Sequence, residues 1–209
     1  MKTSKILIVG AGAIGAFYGA LLAKAGAKVA TVCRSDYGHV KRHGVKINSR
    51  ILGNWHFYPE QVLASVSDYR DEADYLLLCT KLTPDIDLPE LIRPGVGPGT
   101  AIVFIQNGVE IEQTLFRAFP DHEVISGLAY ICCNRTKPGE ISHLAYGRLS
   151  LGNLPDGIRS NTQRLCMLFN QGGIECLAVE DIITARWQKC VWNAPFNPLS
   201  VLSGGLMTL

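Results

Sequence analysis

An α/β fold with a mostly parallel sheet, running into the beginning of an all-α second domain, is what this sequence predicts. Three observations carry the expectation. The apolar run Ile6 to Val9 leads straight into Gly10-Ala11-Gly12-Ala13-Ile14-Gly15 and a small-residue helix, the strand-turn-helix context in which G-x-G-x-x-G holds a pyrophosphate. Two further apolar stretches, Asp74 to Thr80 and Gly99 to Gln106, have the uninterrupted pattern of parallel strands covered on both faces. From Glu180 onward the pattern is helical, and Cys190 to Leu209 contain no charged side chain.

The elements follow in order. Ala13 to Ala25 form the first helix, stopped at Gly26, and Lys28 to Cys33 form the second strand, completing a βαβ unit of the usual length. His39 to His43 read as a basic surface turn, followed by Val45 to Asn48 and Trp55 to Tyr58 as the arms of a hairpin. Pro84 to Leu91 read as a short helix on the sheet face, closed by the turn residues Pro94 to Gly99. Glu123 to Gly152 are β-rich, with breaks expected at Lys137-Pro138-Gly139 and at Gly147, and are read as antiparallel strands finishing the sheet. Ser160 to Asn170 form a helix ended by Gly172-Gly173, Ile174 to Val179 a last short strand, and a new helix starts at Glu180, with Pro195 marking a kink or break.

Composition narrows the function. The chain has 209 residues, 47% hydrophobic and 18% charged, with a net charge of +2. So small a charge, without a run of one sign, argues against a nucleic-acid or membrane-surface partner. Seven cysteines, odd in number and without a C-x-x-C pair, read as free thiols of a reducing cytosol, and a cytoplasmic location is expected. The uncharged end carries two prolines and two glycines, which argue against a membrane span. It reads as a helix meant for burial that leaves Trp192, Phe196, Leu199 and Leu202 exposed in this chain, and the expectation is a chain that stops inside or just after the first helix of a second domain.

Each glycine of the turn has its own task. The first permits the tight turn, the second lets backbone approach the pyrophosphate, and the third lets helix pack on strand. Helix N-terminal amides then hold the phosphates. Arg34 stands at the end of the second strand, where an acid would bind the ribose of NAD, so NADP(H) is expected, with Ser35 as an added donor. Two other readings stay open at this point: Arg34 as a solvated loop residue, and Asp36 as the acid placed late.

Lys81 and Asn107 follow buried strands at the carboxyl ends where such sheets bind ligands, though position alone fits a surface lysine and a turn asparagine equally well. Lys189, Asn193 and Asn197 recur every four residues in an aromatic-rich segment, which places them near one helix face and reads as a pocket wall. His39 and His43 have a ligand-like spacing but no companion cluster, so no metal is expected. Cys132 and Cys133 read as inert strand cysteines.

These motifs in this order make the chain resemble the ketopantoate reductase (2-dehydropantoate 2-reductase) family, from Lys5 to its end. The resemblance rests on the Gly10–Gly15 turn, Arg34, Thr80-Lys81, Gln106-Asn107-Gly108, Pro138-Gly139-Glu140-Ile141-Ser142-His143, and Lys189 with Asn193 and Asn197-Pro198-Leu199. It implies a Rossmann-like NADP-binding domain over residues 1–179 and the start of a helical substrate and dimerisation domain over 180–209. It further implies reduction of 2-dehydropantoate to pantoate on the route to coenzyme A, with Lys189 as catalytic acid and Asn193 and Asn197 on the substrate. Asn107 would line the cleft between nicotinamide and substrate, Lys81 would lie near the cofactor, and a homodimer is compatible with the reading. Family members continue for about another domain, which brings a serine and a glutamate that no position here represents. Rival readings are an NADP(H)-binding module without turnover and a related opine-type or other 2-keto acid reductase.

Overall fold

The computed structural model describes residues 3–83 and 85–204. In chain order the elements are β1 (Lys5–Val9), α1 (Ala13–Lys24), β2 (Lys28–Val32), α2 (Tyr37–His43), β3 (Val45–Ser49), β4 (Gly53–Phe57), β5 (Gln61–Leu63), β6 (Tyr75–Leu78), α3 (Leu88–Ile92) and β7 (Ala101–Phe104). Then come α4 (Glu112–Ala118), β8 (Val124–Lys137), β9 (Glu140–Asn153), α5 (Ser160–Gly172), β10 (Cys176–Ala178) and α6 (Ile182–Leu202).

All the strands join one sheet, in the order β4-β3-β9-β8-β7-β6-β1-β2-β5, with β10 beside β9. Only the hairpins β3–β4 and β8–β9 are antiparallel; the other pairings are parallel. Successive side chains of a strand point to opposite faces, and the core divides accordingly. Ile6, Ile8, Tyr75, Leu77 and Val103 pack on the face that carries α1 and α5. Leu7, Val9, Leu76, Leu78 and Phe104 pack on the opposite face with Leu88, Leu115 and Ile182. Burial on both faces is why these strands read as unbroken apolar runs.

The hairpin of β3 and β4 forms as expected, but β3 also pairs in parallel with the start of β9 and so belongs to the main sheet. Four local expectations are corrected. Residues 39–43 lie in helix α2 and are not a turn; its one buried residue is Val40, too little for a period to show. The helix expected over Pro84 to Leu91 begins at Leu88, because the Asp87 side chain accepts a hydrogen bond from Glu90 N at 3.1 Å and sets the N-cap there. Pro84 itself lies outside the described residues.

Gly147 does not break β9. Tyr146 and Gly147 both take positive φ, 64° and 125°, and absorb one extra residue opposite Tyr130 and Ile131 as a bulge. Finally, α6 continues through Pro195 and Pro198 without a break. Its first turn is buried through Ile182, whereas Trp192 is 61% exposed and Leu202 is 82% exposed, as expected for this face in this chain. Residues 205–209 of the expected burial segment lie outside the described residues. Among the described residues no helix is long and apolar enough to cross a membrane.

Candidate active site at the carboxyl ends of the sheet

The three turn glycines differ in the way the sequence suggests. Gly10 has φ +94°, and a Cβ there would stand 2.8 Å from Thr80 N; the turn and the end of β6 are in backbone contact. A Cβ on Gly15 would overlap the Gly10 carbonyl oxygen, so α1 closes onto the turn only through glycine. Gly12 has nothing within 4 Å of where a Cβ would stand. Packing therefore does not require glycine at position 12, and the open space in front of the α1 N-terminus, beside Ala11, Ala13 and Ile14, fits an approaching phosphate. Ala11 N donates to Val32 O at 3.2 Å, which ties the turn to the end of β2.

Just past β2, Arg34 is exposed. Ser35 donates its hydroxyl to Asp36 Oδ1 at 3.0 Å, so that proton is already engaged. Asp36 is buried and accepts from the Arg135 guanidinium as well as from Gly139 N at 3.3 Å. Burial pushes its carboxyl up, but Arg135, Gly139 and Ser35 outweigh it and hold the group below its ordinary value. Arg34 is thus the exposed charge of this loop, while the Asp36 carboxylate is held by Arg135 and Gly139.

From the turn a line of polar contacts runs to α6. Thr80, against Gly10, receives two hydrogen bonds from Gln106 Nε2, at 2.6 Å on its carbonyl and 3.0 Å on its hydroxyl. Gln106 Oε1 is buried with no partner among the described residues, a vacant acceptor beside the turn. The Gln106 carbonyl in turn accepts from Arg186 Nη1 at 2.9 Å. Lys81 follows Thr80 in sequence and is exposed.

Arg186 is the residue sequence reasoning missed. It is 2% exposed and donates to Gly108 O at 2.9 Å, Gly127 O at 3.2 Å and Ser126 Oγ at 2.6 Å, besides Gln106 O. Its counter-charge is Glu112 on α4, 3.6 Å away. The guanidinium thus fixes the Gln106-Asn107-Gly108 loop and the start of β8 at once. A signal was available: Arg186 lies three residues before Lys189, hence on the same helix face.

Lys189 projects from that face. Its ammonium donates to Ala129 O at 2.6 Å and to Asn107 Oδ1 at 2.9 Å and lies 5.2 Å from the Tyr130 ring centroid. Two of its three N–H bonds are used, leaving one for a ligand. Burial, with a further contribution from the Arg186 charge, lowers its pKa to about 8. Asn107, Gly108, Leu128, Arg186, Lys189, Cys190 and Asn193 line a shallow recess here. Asn197, one turn beyond Asn193, is exposed and does not line it.

The family model described as Ketopantoate reductase PanE/ApbA matches residues 6–156. The chain belongs to the ketopantoate reductase family. Among curated relatives, the 2-dehydropantoate 2-reductase of Nostoc sp. (strain PCC 7120) is 34% identical over 212 residues, covering 97% of this chain and 64% of its own length. Among solved structures, the 2-dehydropantoate 2-reductase of Methylococcus capsulatus superposes with a TM-score of 0.91 at 54% identity, over 97% of this chain and 65% of that one. That of Geobacter metallireducens GS-15 gives 0.88 at 36% identity, over 96% and 66%. This ketopantoate reductase family chain therefore spans just under two thirds of the length of these relatives.

Proposed function

We propose that the chain is the dinucleotide-binding part, and one wall of the substrate site, of an NADPH-dependent reductase that converts 2-dehydropantoate to pantoate in the cytoplasm. Residues 1–179 would bind the dinucleotide, and the segment from residue 180 would begin the substrate part. The observation that carries the reading is the continuous line from Gly10 through Thr80, Gln106 and Arg186 to the Asn107–Lys189 pair. It joins a phosphate-sized opening to a proton donor across the carboxyl ends of β1, β6 and β7, the position where open α/β sheets bind ligands.

When bound, the nicotinamide supplies hydride. The protein does the rest. Gly12 and the α1 amides receive the pyrophosphate, and Arg34 takes the 2′-phosphate by charge and paired hydrogen bonds. Lys81 stands by the phosphates. The free N–H of Lys189 donates to the ketone oxygen, polarising it toward attack. As negative charge grows on that oxygen, Nζ gives up its proton and the hydroxyl of the product forms. Burial and the neighbouring Arg186 favour the neutral amine left behind. Asn107 orients the ammonium, while Asn193, which lines the recess, would hold the substrate's hydroxyl or carboxylate; Asn197, outside the recess, is left without that role. All seven cysteines are free, in keeping with a reducing compartment.

Two experiments test this. Loss of NADPH absorbance is followed for the full-length reductase with a panel of 2-keto acids; 2-dehydropantoate should be the fastest, and no oxidation with any member would overturn the reading. For the cofactor, Arg34→Ala should weaken NADPH by about 1.5 to 3 kcal/mol, a hydrogen bond to a charged group, and NADH little. Equal losses would remove Arg34 from the 2′-phosphate.

A further inference from the structure

The loop after β2 carries both an arginine and, two residues later, an acid. An acid near that strand end would favour the ribose diol of NAD and repel the 2′-phosphate of NADP. In this chain the acid is taken out of play by residues about a hundred positions away. Arg135 on β8 bonds Asp36 Oδ1 and donates to Ser35 Oγ at 3.1 Å. Gly139, in the β8–β9 turn, gives its backbone N–H to Asp36 Oδ2 at 3.3 Å. Glycine suits position 139, which has φ +65°, and a Cβ there would meet the His39 ring on α2. Both carboxylate oxygens are thus engaged by the β8–β9 hairpin, and Arg34 is the exposed charge of the loop.

We propose that Arg135 is a positioning residue for cofactor choice: it clamps the Asp36 carboxylate against the β8–β9 turn, so that the loop presents Arg34 without a competing acid. The proposal rests on the dinucleotide reading above and adds to it a specificity determinant outside the βαβ unit. Without the clamp, Asp36 is free to rotate toward the ribose, where its charge opposes the 2′-phosphate.

The test is equilibrium titration of NADPH and NADH against the wild-type chain, Arg135→Gln, Arg135→Met, and Arg135→Gln combined with Asp36→Asn. Either single change at Arg135 should weaken NADPH about tenfold and NADH less than about twofold, with the difference shrinking as salt rises. The double variant, which has no carboxylate to release, should return to within about twofold of wild type. A loss selective for NADPH that the double variant recovers is what a merely structural role for Arg135, weakening both cofactors alike, would not produce. An unchanged preference, equal losses for both cofactors, or a loss that Asp36→Asn fails to restore would each overturn the proposal. A wild-type chain that binds NADH as tightly as NADPH would instead defeat the cofactor reading itself.

Discussion

At the β1–α1 turn the site is made of backbone and of absent side chains, whereas at α6 it is made of side chains sunk among backbone carbonyls. Gly10 and Gly15 are held by close approach, and Gly12 faces open space. Arg186 and Lys189 instead insert charge into the sheet ends and are met there by carbonyl oxygens, Glu112 and Asn107. On the proposed function, the first end would bind a ligand through helix N-terminal amides. At the second end, burial and the like charge of Arg186 lower the Lys189 pKa. A substitution should therefore act on binding at one end and on chemistry or stability at the other.

The largest effect is expected at α6. Lys189→Ala should lower turnover by about a hundred- to ten-thousandfold, the range of general acid catalysis, while NADPH affinity stays within about twofold; comparable losses in both would merge the two ends that the structure separates. Next, Arg186→Met leaves Glu112 buried without its partner and three carbonyls without their donor, so chemical denaturation should show a loss of about 3 to 5 kcal/mol. A stability loss well under 1 kcal/mol would mean the guanidinium is not what secures the loop.

The glycine turn offers a sharper split. Gly15→Val must displace the Gly10 carbonyl and should cost about 1 to 3 kcal/mol of stability. At Gly12 a Cβ has open space, so Gly12→Val should leave the melting transition in place while abolishing measurable NADPH binding at concentrations that saturate the wild type. Normal binding by folded Gly12→Val would make that turn a structural connection only.

The same contrast explains what could be read from the sequence. The strand-turn-helix of residues 6–25, the buried strands β6 and β7 and the Lys189-Asn193 face follow from local spacing, because period and glycine placement are local properties. The three-residue β5 and the helix α4, whose buried residues are only Glu112 and Leu115, leave no period to detect. Asp36 with Arg135 and Glu112 with Arg186 pair across long stretches of chain; each residue alone reads as an ordinary surface charge. The α6 face was visible, yet Arg186 escaped notice although it sits one turn before Lys189.

The smallest predicted change is also the most direct test of Lys189 as the proton donor. In the free protein its pKa stands at about 8, below the ordinary 10.5. The ammonium is present below that value and lost above it, and kcat/KM reports the free enzyme's groups. The account predicts that kcat/KM for 2-dehydropantoate is level on the acid side and falls about tenfold per pH unit above about 8. A profile that stays flat to about pH 10, where an unperturbed lysine titrates, would contradict it.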